Sequence, residues 1–280
     1  METNPISLTD KINKLGSDDC HNQVICEEKT FNGVEITKLS KSQMKKYQKM
    51  LRWQARKADK RAKEREKLRK RKIEAKINNI SLGPSRKELK RKKMIDSNCK
   101  ISVVIDLSFD DLMIPKDLAK LIKQVLRVYT ENRRATNPMQ LYVTNFNGKS
   151  KTEMEKHNGY ENWDINFCEE SYINIFPIEN LIYLTSESDN IIEKLDHNKV
   201  YVIGGLVDHN AHKGLCYRKA VKEGIAHGQL PISNFFSIKY RKVFTINQVF
   251  EIILRVSEGK TFKEAFETVL PKRINMEPNK

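Results

Sequence analysis

From Val34 to Leu82 the chain contains neither proline nor glycine. Its central part, Met44 to Lys76, is built mostly from Lys, Arg, Glu, Ala, Gln and Leu, residues that lose little freedom in a helix. The apolar residues of this stretch, Met44, Tyr47, Met50, Leu51, Trp53 and Ala55, are gathered in its first turns. Beyond them come Lys63, Arg65, Lys67, Arg69, Lys70, Arg71 and Lys72, with little apolar face to bury. Such a helix cannot belong to a core and must take its order from a partner. Ser81 to Pro84 breaks it, which places a domain boundary between about residues 82 and 100.

Charge divides the chain in the same way. Residues 41–100 carry 24 basic and 6 acidic side chains, net +18. Residues 1–40 carry 4 and 7, net −3, and residues 101–280 carry 24 and 23, net +1. The overall charge of +16 is therefore the property of one segment. A basic arm of this density suits nucleic-acid phosphates, each neutralised phosphate releasing a counterion without regard to sequence. A solvated linker and a nuclear-localisation signal are the alternative readings. Residues 1–40, acidic and without periodicity, read as a disordered tail.

At 39% hydrophobic residues the chain can fill one core of ordinary size but not 280 residues of packed protein. No run approaches the roughly 18 apolar residues of a membrane span, and Met1 to Ser40 lacks the apolar stretch of a secretory signal. The expectation is a soluble, intracellular protein with no membrane partner. Cys20, Cys26, Cys99, Cys168 and Cys216 are odd in number and contain no CxxC pair, against both a disulfide framework and a zinc site.

From Ile101 the pattern becomes short β-branched runs alternating with helical segments. Strands are expected at 101–106, 139–143, 181–184 and 199–203, with shorter extended pieces at 229–232 and 243–245. Helices are expected at 115–134, 190–195, 213–223, 247–257 and 261–270. That alternation implies a parallel α/β sheet with helices on both faces. Ligands in such sheets bind outside the carboxyl ends of the strands, which directs attention to Thr185–Ser188, Gly204–Asn210, Gln229–Ile232 and Thr245–Asn247. The chain has no GxGxxG after its first strand and no P-loop.

Asp208 admits two readings: a turn or capping carboxylate, or one that accepts a proton or bonds a base edge. His209 and His212 beside it lack a credible third metal ligand. Cys216 has no neighbouring base in the sequence and reads as an inert helix cysteine. Asp106 sits at a strand end, and Gln124, Arg127 and Glu131 share a helix face whose end carries Arg133 and Arg134. That face is either solvated or turned toward RNA.

Asp106–Asp110 with Leu112-Met113, Glu131–Arg134, Leu181–Ser186, Tyr201–Asn210, Gln229–Pro231, Asn247–Phe250 and Leu270–Arg273 together resemble the eukaryotic tRNA guanine-9 N1-methyltransferases, the Trm10 family of the SPOUT superfamily. The resemblance covers about residues 40 to 273, including Ser40–Lys46. It implies a SPOUT-type parallel sheet ending in a C-terminal trefoil knot, an exception to the rule against knots. The expected organisation is an acidic tail over 1–40, a helical tRNA-binding arm over 41–95, a methyltransferase domain over 96–275 and a tail over 276–280.

The resemblance further implies S-adenosylmethionine as cofactor and no metal. By position it places the cofactor at Leu184 and Thr185, Gly204 and Gly205, Asp208, His209, Asn210, Ala211 and His212, Cys216 and Leu230, and Val243, Phe244, Thr245 and Ile246. Asp208 matches the family's proposed catalytic aspartate, with Asp106 and Gln124 as helpers. Lys63 to Lys72 in the arm and Arg127, Arg133 and Arg134 would contact tRNA phosphates. A monomer in the nucleus or cytoplasm is implied as well. Modification of adenine 9, and a non-catalytic tRNA-binding or chaperone role, are the competing functions.

Overall fold

The computed structural model describes residues 30–31, 34–80, 82–209, 211–237, 243–270 and 277–278. Most of the expected acidic tail, Asn210 and the segment 271–276 therefore lie outside the described residues. The chain falls into two compact units that meet in sequence at Gly83 and Pro84.

The first unit is dominated by helix α1, Lys41–Ile77. Ser40 Oγ accepts from Gln43 N at 3.3 Å and Gln43 Oε1 accepts from Ser40 N at 2.9 Å, a reciprocal cap that fixes the start of the helix. At 1.5 Å per residue α1 is about 55 Å long. Lys63 to Lys72 are all exposed along it. Glu66 and Lys70 pair across one turn, and Lys57 lies over the Trp53 ring.

The second unit begins earlier than residue 96. Helix α2, Arg86–Arg91, leads into a 3-10 turn whose Met94 is buried; its N–H donates to Asp164 and its carbonyl accepts from Gln140 Nε2. These bonds, made to residues some 46 to 70 positions away, belong this linker to the sheet domain.

Six strands form one parallel sheet: β1 (Ser102–Asp106), β2 (Gln140–Thr144), β3 (Asn166–Phe167), β4 (Leu181–Leu184), β5 (Val200–Gly204) and β6 (Ala226–Gly228), in the order β3-β2-β1-β5-β4-β6. Period-two side-chain alternation splits the core. Val103, Ile105, Tyr201 and Ile203 join one cluster with helix α3 (Pro115–Asn132) and the helix at Ile246–Ser257. Val104, Val200, Val202 and Tyr183 join another, with Ala220 and Tyr172. Helices thus cover both faces, and those after β3 include α5 (Tyr172–Ile175), α6 (Leu215–Lys222), α7 (Ile232–Phe235) and α8 (Ile246–Ser257). The register pairs Asp106 with Thr144 and with Gly204, and Leu184 with Ile203 and Gly228, so the strands end at one level.

Three expectations are corrected. Asn190 to Leu195 is not helical: Ile191 forms an isolated parallel bridge with Gln229, because Gln229 N donates to Asn190 O and Ile192 N to Gln229 O. Of the run 229–232, only Gln229 is extended in that bridge, and a helical turn opens at Ile232. Val243–Thr245 forms no strand. The two-residue edge strand β3 and the short helix α4, Gly148–Met154, went unexpected.

Buried Asn132 ends α3 and holds the turn into β2, donating to Met139 O at 2.8 Å and accepting from Met139 N at 2.9 Å. Asn132→Ala leaves both backbone groups buried and unpaired. Urea denaturation should show a loss of about 2–4 kcal/mol.

Candidate active site

The carboxyl ends of β4, β5 and β6 open into a cavity of about 470 Å³. That is within the roughly 300–1,000 Å³ of small-molecule sites. Part of its lining is small, apolar or neutral. Leu184 and Thr185 come from the end of β4, Gly204 from β5 and Leu230 from the segment after β6. Val243 to Ile246 close it, leading into helix α8, Ile246–Ser257. α8 is capped by Gln248, whose Oε1 accepts from Thr245 N at 3.0 Å.

Gly204 shows why a residue without a side chain stands on the floor. A Cβ there would lie 2.6 Å from Cys216 Sγ and 3.3 Å from the Tyr183 hydroxyl, so the backbone itself lines the cavity. Gly205 does not line it; a Cβ there would sit 2.5 Å from Asp106 O, in the crowded join between β5 and β1. Cys216, on helix α6 (Leu215–Lys222), faces the cavity. Burial, with the charge of Asp106, pushes its thiol up to about 11, which makes it a wall and not a nucleophile.

Another part of the wall is charged. Asp208 lines it, and its carboxylate also caps the following turn, accepting from His212 N at 2.7 Å. The capping reading of this residue is thus realised, on a carboxylate that stands on the cavity wall. His209, in the left-handed region at φ 53°, and His212 line the cavity too, whereas Ala211 does not. Among the described residues no group of His, Cys, Asp and Glu could hold a metal ion.

Across from that loop, α3 presents Lys120 and Gln124, one helical turn apart. Gln124 Oε1 accepts from Ile246 N at 2.9 Å, which fixes the side chain and leaves its amide hydrogens as the donors it can offer. Lys120 Nζ lies 2.8 Å from Asp117 Oδ1 and 2.9 Å from His209 Nε2. The Lys120 hydrogen bond holds the Asp117 carboxyl below the usual carboxylate range. Lys120 is a cavity residue the sequence did not single out. The i, i+4 spacing of Lys120 and Gln124 was the available signal.

Asp106 is not on the cavity wall. It is fully buried and accepts from Ser108 N, Asn145 Nδ2, the Tyr183 hydroxyl and Lys219 Nζ. Arg127 and Arg134 are exposed at the outer surface and end of α3, away from the cavity lining. Arg133 stacks its guanidinium on Tyr129, which stacks in turn on Trp163. Glu131 turns instead to α8, where Arg255 approaches to 3.4 Å.

Comparison with known proteins gives the same fold. A crystal structure of full-length spTrm10 in complex with SAH matches with a TM-score of 0.58 at 39% identity, over 65% of this chain and 99% of that one. The Schizosaccharomyces pombe protein named tRNA (guanine(9)-N1)-methyltransferase is 39% identical over 244 residues, 84% of this chain and 79% of that protein. The Xenopus tropicalis tRNA methyltransferase 10 homolog A is 50% identical over 175 residues. The match spans about half, 52%, of the frog protein's length. A family model described as tRNA (guanine(9)-N(1))-methyltransferase TRM10/TRM10A matches residues 37–275, and with most of its length matched in this way the chain belongs to that family.

Proposed function

We propose that this chain methylates N1 of guanine 9 in tRNA, using S-adenosylmethionine. The observation that carries the reading is the single cavity that joins a small, apolar lining floored by the Gly204 backbone to the polar groups of Asp208, Gln124 and Lys120. SAH in the related solved structure supports assigning the apolar lining to the cofactor. Leu184, Thr185, Leu230 and Val243 to Ile246 would enclose it, with Cys216 beneath. Bound there, S-adenosylmethionine supplies an electrophilic methyl group on sulfur.

What remains for the protein is to hold the base and deal with its proton. Asp208, on the cavity wall, would accept a hydrogen bond from guanine N1–H. Gln124 offers amide donors to the base edge. Asp106 serves by positioning, tying α6 and the strand ends together. The target base must swing out of the folded tRNA to enter. Lys63 to Lys72 on α1, with Arg127, Arg133 and Arg134, would hold phosphates; this supports RNA binding through a single chain's own arm. A C-terminal trefoil knot, a monomeric state and a nuclear or cytoplasmic site belong to the same reading. No helix among the described residues is long and apolar enough to cross a membrane.

Incubation with methyl-labelled S-adenosylmethionine and a tRNA transcript should label N1 of G9. Transfer to no tRNA at all would overturn the enzyme reading and leave a binding role, and labelling of an A9 transcript alone would redirect it to adenine. Gly204→Ala should weaken SAH binding at least tenfold, by about 1.4 kcal/mol. Adding Cys216→Ala, which removes the clashing thiol, should restore part of that affinity; calorimetry reads both. Replacing Lys67, Arg69, Lys70 and Arg71 by Gln should lower the slope of log affinity against log salt by about 3, with SAH affinity unchanged.

A further inference from the structure

Among the described residues, Lys120 is the one lysine or arginine that lines the cavity. The residues from 101 onward carry 24 basic side chains, so a single cation at this place is a selective feature. Its partners aim it. Asp117, buried on the same helix, anchors Nζ at 2.8 Å without itself reaching the cavity wall. His209 Nε2 contacts Nζ at 2.9 Å, and its own backbone is set by the left-handed turn directly after Asp208. An ammonium has three donors, and these contacts engage two. The remaining charged or titratable groups on the lining are Glu187, Asp208, His212 and Cys216.

We propose that Lys120 is a specificity-determining group of the transfer, facing O6 of the target guanine and favouring loss of the N1 proton. The inference rests on the methyl-transfer reading above. In the reaction N1 gives up its proton to Asp208 or to water and its electron pair forms the new N–CH3 bond. The pair of the broken S–CH3 bond stays on sulfur, which becomes neutral. As the proton leaves, negative charge spreads from N1 onto O6. A cation at O6 stabilises that charge and lowers the pKa of N1, the effect an oxyanion donor has on a developing alkoxide.

Asp208 is a carboxylate and therefore a poor base toward so weak an acid; help from the opposite side of the base is what the chemistry lacks. Adenine presents an amino group where guanine has O6. Two donors would then face each other, and adenine N1 has no proton whose loss Lys120 could assist. One residue thus promotes guanine and disfavours adenine.

The test is single-turnover methylation by the full chain and its Lys120→Met and Lys120→Arg variants, on G9 and A9 transcripts across pH, with SAH and tRNA affinities measured in parallel. Lys120→Met should slow G9 methylation by about 10²-fold at neutral pH. The deficit should shrink as pH rises, because the variant's N1 ionises later, and A9 methylation should not fall. Lys120→Arg, which keeps the charge, should recover most of the rate. The inference is overturned if Lys120→Met retains the wild-type G9 rate, loses it equally at every pH, or loses SAH affinity in step with it. A wild-type chain that methylates neither transcript would instead refute the methyltransferase reading itself.

Discussion

A carboxylate with no solvent exposure closes the central strand, and the site hangs on how its charge is answered. Asp106 Oδ1 takes bonds from Ser108 N at 3.1 Å and Asn145 Nδ2 at 2.9 Å; Oδ2 takes them from the Tyr183 hydroxyl at 2.9 Å and Lys219 Nζ at 2.8 Å. The donors come from the turn after β1, the turn after β2, strand β4 and helix α6. A buried carboxylate with no such partners would cost far more than one domain's net stability can absorb. Keeping all four elements in place is therefore a condition of folding. Lys219 also bonds Ser108 and approaches Glu223, whose carboxylate accepts from the Tyr172 hydroxyl at 2.5 Å. Burial, with the nearby Asp106 charge, drives the Tyr183 and Tyr172 hydroxyls well above their ordinary range, so they act only as neutral donors.

This knot of polar groups lies behind the cavity and sets its floor. With α6 held one turn along at Lys219, Cys216 presses against Gly204, and Gly205 N bonds Asp106 O at 2.8 Å. The floor is then rigid backbone lined by groups that do not ionise near neutral pH. Charge enters the wall where α3 and the turn after β5 meet through Lys120 and His209, and at Glu187 after β4. On the proposed reading, a cationic cofactor and a base that must lose a proton make opposite electrostatic demands. Separating a neutral floor from a charged wall is one way for a single cavity to meet both.

Much of this was legible in the sequence, for stated reasons. Val103 to Ile105 and Val200 to Ile203 are buried on both faces, so their β-branched runs announced the strands. The Leu118, Leu121, Ile122 and Val125 periodicity announced α3. Where the forecast failed, long-range bonds decided the local structure. The segment 190–195 follows Gln229 in a bridge instead of its own propensity, and β3 is a two-residue edge that no pattern marks. The carboxyl-end rule for parallel sheets supplied the strand-end loops, most of whose residues meet in the cavity. It could not show that Asp106 turns inward, because a strand-end carboxylate reads the same whether it faces a ligand or a lysine 113 positions away. Lys120 escaped notice for a related reason: on a helix with several lysines, only the fold tells which one meets His209.

The arm and the cavity divide recognition between two kinds of physics. Helix α1 buries almost nothing between Lys63 and Lys72, and phosphate contacts from such a surface are sequence-blind. On the proposed reading the arm raises the local concentration of tRNA and contributes to affinity equally for right and wrong bases. It cannot distinguish guanine from adenine. That distinction has to come from the few directional groups within reach of one flipped base, and the near-neutral balance of residues 101–280, 24 basic against 23 acidic, keeps bulk charge from blurring it. In a domain so balanced, the sign of one side chain at the cavity wall carries weight that the arm's surplus of charge does not.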